Sequence, residues 1–339
     1  LLFVSGLSAQ AFFYNYIDPC EQTQVRSSYT LNQEENSTIF AISRSEEYHQ
    51  TQLAYKNNKN SSQVKFYQYD LNENIDDIVK LIQEENIEYI FNFAAQGMVA
   101  QSWEKPEQWF NTNTLSLVKL LDKIYKFKFI KKFVQVSTPE VYGPCNNIKE
   151  SMNFHPSSPY AASKASADLI LYSYFITHGF PINYTRASNV YGAYQQLYRI
   201  IPKTILMIKK GEKLQLHGGG RAIRSFIHID DVSTATLKIA KEAKAGEIYH
   251  LSDDKTISIY DLVELICNQM NVDINNHIEI VEDRVGQDSL YLMNNEKLKD
   301  DLDLTIQKSL KDGIREVISW IESNYNTLKD FPDYYIHKK

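Results

Sequence analysis

The chain has 339 residues, 36 basic against 42 acidic side chains, a formal net charge of −6 and three cysteines. That length suits two coupled lobes of roughly 100–200 residues each. The acidic balance excludes a diffuse basic surface for a nucleic-acid backbone or an acidic membrane, so any bound phosphate has to be met by local arginines or backbone N–H groups.

Cys20, Cys145 and Cys267 are odd in number and far apart. They fit neither a disulfide framework nor a CxxC metal site, which points to a reduced, cytoplasmic setting. The histidines show no HExxH or other paired metal spacing, so no metal is expected; His217 and His228 read as structural or as neighbours of a base pocket. The opening LLFVSGLSAQAFF is apolar. It lacks a basic leader and falls short of the ~18 uninterrupted apolar residues of a membrane span, so it reads as a core strand entering a helix. The chain begins inside that strand without Met, which points to residues upstream.

Short apolar runs follow in order: LLFV (1–4), TIFAIS (38–43), VKFYQY (64–69), YIFNFAA (89–95), KFVQVS (132–137) and INYTRAS (182–188). Amphipathic stretches at 74–84, 106–126 and 160–178 lie between them. This alternation is the signature of βαβ units, an α/β fold with a parallel sheet covered on both faces. The polar segments 18–37 and 48–63 read as surface loops. From about residue 195 the order loosens into short strands and helices, as in a smaller lobe interleaved with the first.

Tyr160-Ala161-Ala162-Ser163-Lys164 places a phenol and an ammonium at i and i+4, on one helix face. A nearby ammonium favours the phenolate, which suits general acid/base work. Alone, this spacing is weak, because the chain has 23 tyrosines. Upstream, KFVQVS runs into Ser137-Thr138-Pro139-Glu140-Val141-Tyr142-Gly143. A hydroxyl and a carboxylate at the carboxyl end of a parallel strand stand where open α/β sheets bind ligands.

Six segments, in order and near the expected spacing, resemble the extended short-chain dehydrogenase/reductase (NAD-dependent epimerase/dehydratase) family: NFAAQ (92–96), STPEVYG (137–143), SPYAASK (158–164), RASNVYG (186–192), RSFIHIDDV (224–232) and DRVGQD (283–288). Within it the chain is most similar to sugar-nucleotide 4,6-dehydratases of the dTDP-glucose and GDP-mannose type. The resemblance implies a Rossmann-type doubly wound sheet in residues 1–190, a mainly sugar-nucleotide-binding α/β lobe in 191–330, and a tail, 331–339. It implies a hydride moving from C4 to NAD(P)+, water leaving across C5–C6, and the hydride returning at C6.

By the same resemblance Tyr160 takes the C4 hydroxyl proton, Lys164 supports it and holds the nicotinamide ribose, Thr138 bonds the C4 oxygen and Glu140 abstracts the C5 proton. Pro139 departs from the dTDP-glucose pattern, whose Asp there protonates the leaving hydroxyl. The GDP-mannose enzymes have Ser in that slot, so Glu140 is expected to serve as base and acid. At the cofactor, Gly6 and Ala9 retain part of the glycine-rich turn, while Phe12 fills its third glycine slot. Arg44 follows the second strand where an acidic residue would select NAD, so NADP is favoured over NAD. Asp70 and Leu71 are expected at the adenine, and Ala94, Ala95 and Gln96 beside the dinucleotide, with Gln96 and Thr138 also at the substrate. Asn189, Arg199, Arg224 and Arg284 are expected on the substrate diphosphate, whose oxygens a guanidinium fork suits.

A 4-epimerase or UDP-glucuronate decarboxylase shares the Tyr/Lys step, and a non-catalytic sugar-nucleotide or NADP-binding protein shares the fold. The expected partners are a nucleotide-diphosphate sugar and a second copy of the chain, paired through the 106–126 and Tyr160 helices, with no nucleic acid and no membrane.

Overall fold

The computed structural model describes residues 2–5, 38–57, 61–282 and 291–337. In chain order the described elements are β1 (Leu2–Ser5), β2 (Thr38–Ser43), β3 (Val64–Gln68), α1 (Ile75–Glu84), β4 (Tyr89–Asn92), α2 (Pro106–Phe110), α3 (Ser116–Ile124), β5 (Lys132–Ser137), β6 (Cys145–Ile148), α4 (Pro159–His178), β7 (Ile182–Ala187), β8 (Asn189–Tyr191), α5 (Ile200–Lys210), β9 (Leu214–His217), β10 (Ile223–His228), α6 (Ile229–Glu242), β11 (Ile248–Leu251), β12 (Thr256–Ser258), α7 (Ile259–Gln269), β13 (Ile278–Val281), β14 (Tyr291–Met293), α8 (Glu296–Leu302) and α9 (Leu310–Leu328).

Seven strands form the main sheet, in the order β11-β7-β5-β4-β1-β2-β3. Successive side chains of a strand point to opposite faces, and both faces of this sheet are covered. Phe40, Ile90, Phe133 and Ile182 pack with Ile78, Leu120 and Leu171 of α1, α3 and α4. Ile39, Phe91, Val134 and Tyr249 pack on the other side with Val232 and Ile239 of α6 and Leu298 of α8. Burying each such side chain contributes about 1.5–3 kcal/mol. A second core joins α5, α7 and α9 to β9 and β10 through Ile205, Leu216, Phe226, Ile266 and Ile314. The chain then returns to the main sheet as β11, paired in parallel with β7. This is the Rossmann-type α/β architecture expected, with a smaller lobe.

The sheet is parallel except at β1, which runs antiparallel to both β2 and β4. Ser5 pairs with Thr38, the first residue of β2, so β1 ends at the amino edge of its neighbours. An apolar run specifies burial and not direction, which is why LLFV reads equally well as either orientation. The turn expected to follow, with Gly6, Ala9 and Phe12, lies outside the described residues, as do 18–37.

Two further expectations change. Residues 106–126 are not one regular helix: a π-helical turn, Asn111–Leu115, separates α2 from α3. Within 48–63, Gln50–Gln52, Ala54–Asn57 and Ser61–Gln63 form 3₁₀ turns, and Leu53 and Tyr55 are buried in the core.

Candidate active site

α4 carries the Tyr/Lys pair, and its local sequence fixes where it starts. The Ser158 side chain accepts the Ala161 N–H (3.2 Å), Pro159 occupies the first turn, and Gly179 ends the helix in the left-handed region at φ 66°. The helix packs on β5 and on the 3₁₀ turn Pro139–Tyr142 that follows it. Lys164 is 1% exposed and its Nζ donates to the Val136 carbonyl (2.8 Å), next to the carboxyl end of β5. Tyr160, Thr138 and Glu140 are each 6% exposed. Thr138 Oγ1 accepts the Glu140 N–H (3.3 Å), so the hydroxyl expected on substrate also caps the turn that carries the carboxylate. Gly143 closes that turn at φ 69°, and a Cβ there would lie 2.4 Å from the His155 carbonyl oxygen, a contact no other residue could make. Thr138, Glu140, Tyr160 and Lys164 thus converge at one corner.

The end of β4 joins them through a residue the sequence did not single out. Asn113, in the π-helical turn, accepts the Gln96 N–H (2.6 Å) and donates from Nδ2 to the Gln96 carbonyl (3.0 Å) and Ser163 Oγ (2.8 Å). Thr114 Oγ1 adds a bond to the Ser163 carbonyl (3.0 Å). The altered pitch lets two successive side chains reach α4, and π turns often mark such sites. The one signal available in sequence was the polar run NTNT inside an otherwise amphipathic stretch.

Of the residues expected at the dinucleotide, Ala94, Ala95, Asp70, Leu71 and Arg44 are described. Ala94 and Ala95 are small enough for close approach beside β4, and Ala94 N–H bonds Asn92 Oδ1 (3.2 Å). Asp70, just past β3, accepts the Asn72 N–H (2.7 Å) and sits beside buried Leu71. Arg44 follows β2, its carbonyl accepting from Gln68 Nε2 (3.2 Å). No described residue supplies the diphosphate turn expected of Gly6 and Ala9, and β1 ends at the opposite edge of the sheet.

In the smaller lobe, Asn189, Arg199 and Arg224 line one cavity of about 830 Å³, together with Met98, Leu214, Leu216 and Phe226. Asn189 Nδ2 donates to the Ser225 carbonyl (3.1 Å), and Arg224 donates to the Ile223 carbonyl (2.8 Å). The Arg199 guanidinium lies over the Tyr198 ring, 5.0 Å from its centroid, and its buried Nε and one terminal nitrogen have no hydrogen-bond partner. Donors left so in a cavity are suited to an anionic ligand. Thr138 and Gln96 are not part of this wall. Met98, two residues beyond Gln96, connects the cavity to the β4 corner. Arg284 lies outside the described residues.

His228, Asp230 and Glu316 lie close enough to hold a metal ion. The Lys308 ammonium already contacts both carboxylates, Asp230 at 3.7 Å and Glu316 more closely, and takes the place of a cation. His228 caps α6 by accepting the Asp230 N–H, the structural role expected of it. No described helix is long and apolar enough to cross a membrane.

A buried tyrosine and lysine one helical turn apart, packed against a Thr/Glu turn at the carboxyl edge of a Rossmann-type sheet, define an extended short-chain dehydrogenase/reductase of the epimerase/dehydratase class. The chain matches the family model described as GDP-mannose 4,6 dehydratase over residues 28–317, and it belongs to that family. It is 33% identical over 279 residues to the dTDP-D-glucose 4,6-dehydratase of Homo sapiens, which covers 80% of this chain and 79% of that protein. A solved dTDP-glucose 4,6-dehydratase from Streptomyces venezuelae, with NAD bound, superposes at a TM-score of 0.73 with 28% identity over 79% of this chain and 82% of that one. A UDP-glucose 4-epimerase from Thermotoga maritima, with UDP-glucose, gives 0.74 at 22% identity, covering 84% and 91%, and shows the shared fold alone. The chain is thus an NAD(P)-dependent enzyme of the hydro-lyase type.

Proposed function

We propose that the chain converts a nucleoside-diphosphate hexose into its 4-keto-6-deoxy product. The observation that carries this is the burial of Glu140 with Thr138 in one capped turn against the helix bearing Tyr160 and Lys164. A redox pair alone oxidises C4; a carboxylate beside it adds elimination.

A bound nicotinamide dinucleotide supplies a hydride acceptor at C4 and the same hydride as donor at C6. Tyr160 removes the C4 hydroxyl proton, and the Lys164 ammonium stabilises the negative charge left on its oxygen. Thr138 Oγ1 bonds the C4 oxygen. The C4 ketone acidifies C5–H, so Glu140 takes that proton and passes it to the departing C6 hydroxyl, since Pro139 offers no acid. Arg199, Arg224, Asn189 and Arg284 hold the diphosphate. At the cofactor, Arg44, Asp70, Leu71, Ala94, Ala95 and Gln96 contact the dinucleotide with Gly6 and Ala9. The Streptomyces venezuelae structure contains NAD, so the NADP preference drawn from Arg44 gains no support, and NAD is the cofactor proposed.

Incubation with dTDP-glucose, GDP-mannose and UDP-glucose tests this. The expected product has lost one water; an unchanged mass would indicate a 4-epimerase instead, and no turnover with no bound dinucleotide a binding protein. The likeness to the human enzyme makes dTDP-glucose the first substrate to try.

We further propose a homodimer through α2, α3 and α4. Leu169, Tyr172 and Ile176 on α4 are 51%, 40% and 62% exposed at a spacing that makes one stripe, and Phe110 and Leu115 add 38% and 48%. Size-exclusion chromatography should give twice 39.3 kDa, and Leu169→Asp with Ile176→Asp should give the monomer.

A further inference from the structure

Beneath the catalytic corner lies a buried polar chain that the reaction as described does not use. It begins at Ser137, immediately before Thr138, whose Oγ donates to Asp168 Oδ2 (2.7 Å). Arg186 pairs with the same oxygen at 2.9 Å, and both side chains are fully buried. The guanidinium next donates to the Tyr142 hydroxyl and to the Ser151 carbonyl (2.7 Å). It also lies over the Tyr142 ring, 4.6 Å from its centroid. The Tyr142 hydroxyl meets His250 Nε2 at 2.8 Å, and His250 Nδ1 meets the Asn294 carbonyl at 2.9 Å.

The proton positions follow from the partners. A carbonyl only accepts, so His250 Nδ1 carries the proton; Nε2 then presents a lone pair and Tyr142 donates to it. The Tyr142 oxygen accepts from Arg186 and from the Ser151 N–H (3.2 Å). Burial holds His250 neutral, pulling its pKa down to about 3, and raises that of Tyr142. Glu150, raised by burial, accepts the His250 backbone N–H (3.1 Å). The Ser137 and Tyr142 hydroxyls and both ring nitrogens of His250 are matched in one orientation, while Asp168 Oδ1 and Arg186 Nε keep no hydrogen-bond partner; the matched bonds are what tie this buried network to its surroundings.

This network holds both ends of the catalytic turn: Ser137 precedes Thr138, and Tyr142 follows Glu140 by two residues. We propose that Arg186, with Asp168, Tyr142 and His250, positions Thr138 and Glu140 for elimination. This deepens the dehydratase reading and rests on it. None of the four needs to touch substrate; they are positioning residues, and misplacing a reacting group by about 1 Å can cost on the order of a hundredfold.

Tyr142→Phe tests this by removing one hydroxyl from a buried aromatic of equal shape, and Ser137→Ala loosens the other end should the first variant fold poorly. In Tyr142→Phe, kcat with the accepted nucleotide sugar should fall about tenfold to a hundredfold with KM within about twofold, and bound reduced nicotinamide should build up during turnover, because oxidation continues while elimination lags. A merely structural loss lowers the amount of active enzyme and leaves that build-up unchanged, and this outcome overturns the proposal. Hydrogen exchange of the 138–143 amides needs no turnover: protection there should drop at least about tenfold in either variant while the α4 amides keep theirs. Equal protection of 138–143 in wild type and both variants also overturns it. Absence of turnover by the wild-type enzyme bears on the dehydratase reading alone, and the exchange experiment still decides the positioning role.

Discussion

The catalytic corner and the substrate cavity are built on opposite plans. At the corner, Thr138, Glu140, Tyr160 and Lys164 are at most 6% exposed and rest on a backbone tied down by Asn113, Val136 and Gly143. In the cavity, Arg199 keeps two buried nitrogens without a partner, stacked only on Tyr198. Groups that move protons need fixed geometry, whereas a diphosphate can supply the missing acceptors itself when it binds. On the proposed function, the corner is preorganised and the cavity is completed by its ligand.

That contrast can be broken from either side. Tyr160→Phe, at the corner, should lower kcat by about 10²–10⁴-fold with little effect on substrate binding, as expected for loss of a general acid/base, and steady-state kinetics would show the split. Arg199→Ala, in the cavity, should raise KM about tenfold to a hundredfold and leave kcat nearly unchanged, since a charge-assisted bond is worth about 1.5–3 kcal/mol. Equal effects of the two on kcat would erase the distinction.

A smaller effect comes from below the corner. His250 is held neutral in the folded chain with its pKa depressed to about 3, against an ordinary 6.5. A depressed group stabilises fully above its unfolded pKa. Between about 6.5 and 3 the unfolded chain binds a proton that the native one refuses, so stability falls on acidification by up to about 1.4 kcal/mol per pH unit. Glu150 beside it is raised by burial from 4.5 and acts in the opposite sense, losing stability as pH rises past 4.5. Denaturant melts of wild type and His250→Gln at pH 7 and 5 isolate the histidine: the variant should lose less stability on going to pH 5. Parallel losses would show that His250 is protonated in the native state.

The sequence made the chemistry legible where one residue type at one spacing suffices. TIFAIS and KFVQVS are β2 and β5 to the residue, and the i, i+4 pair on α4 faces the turn after β5. It did not show what holds them. The Asn113 clamp depends on a π-helical turn, and the Arg186–Tyr142–His250 chain joins residues up to 108 positions apart. Such bonds leave no periodic trace. Direction was equally silent at β1, where an apolar run in the sequence specifies no orientation. Arg44 leaves the choice between NAD and NADP open for a related reason: a single cation after a strand has no geometry in sequence to separate ribose recognition from an ordinary position.

The central claim is an internal return of hydride, with C4 oxidised and C6 reduced by the same cofactor and Glu140 breaking C5–H between. Turnover of a nucleotide hexose carrying deuterium at C4, in ordinary water, reads it directly by mass spectrometry and NMR of the product. The account predicts the deuterium in the C6 methyl group of a 4-keto product. Deuterium still at C4, or absent from a product that has not lost water, would contradict it.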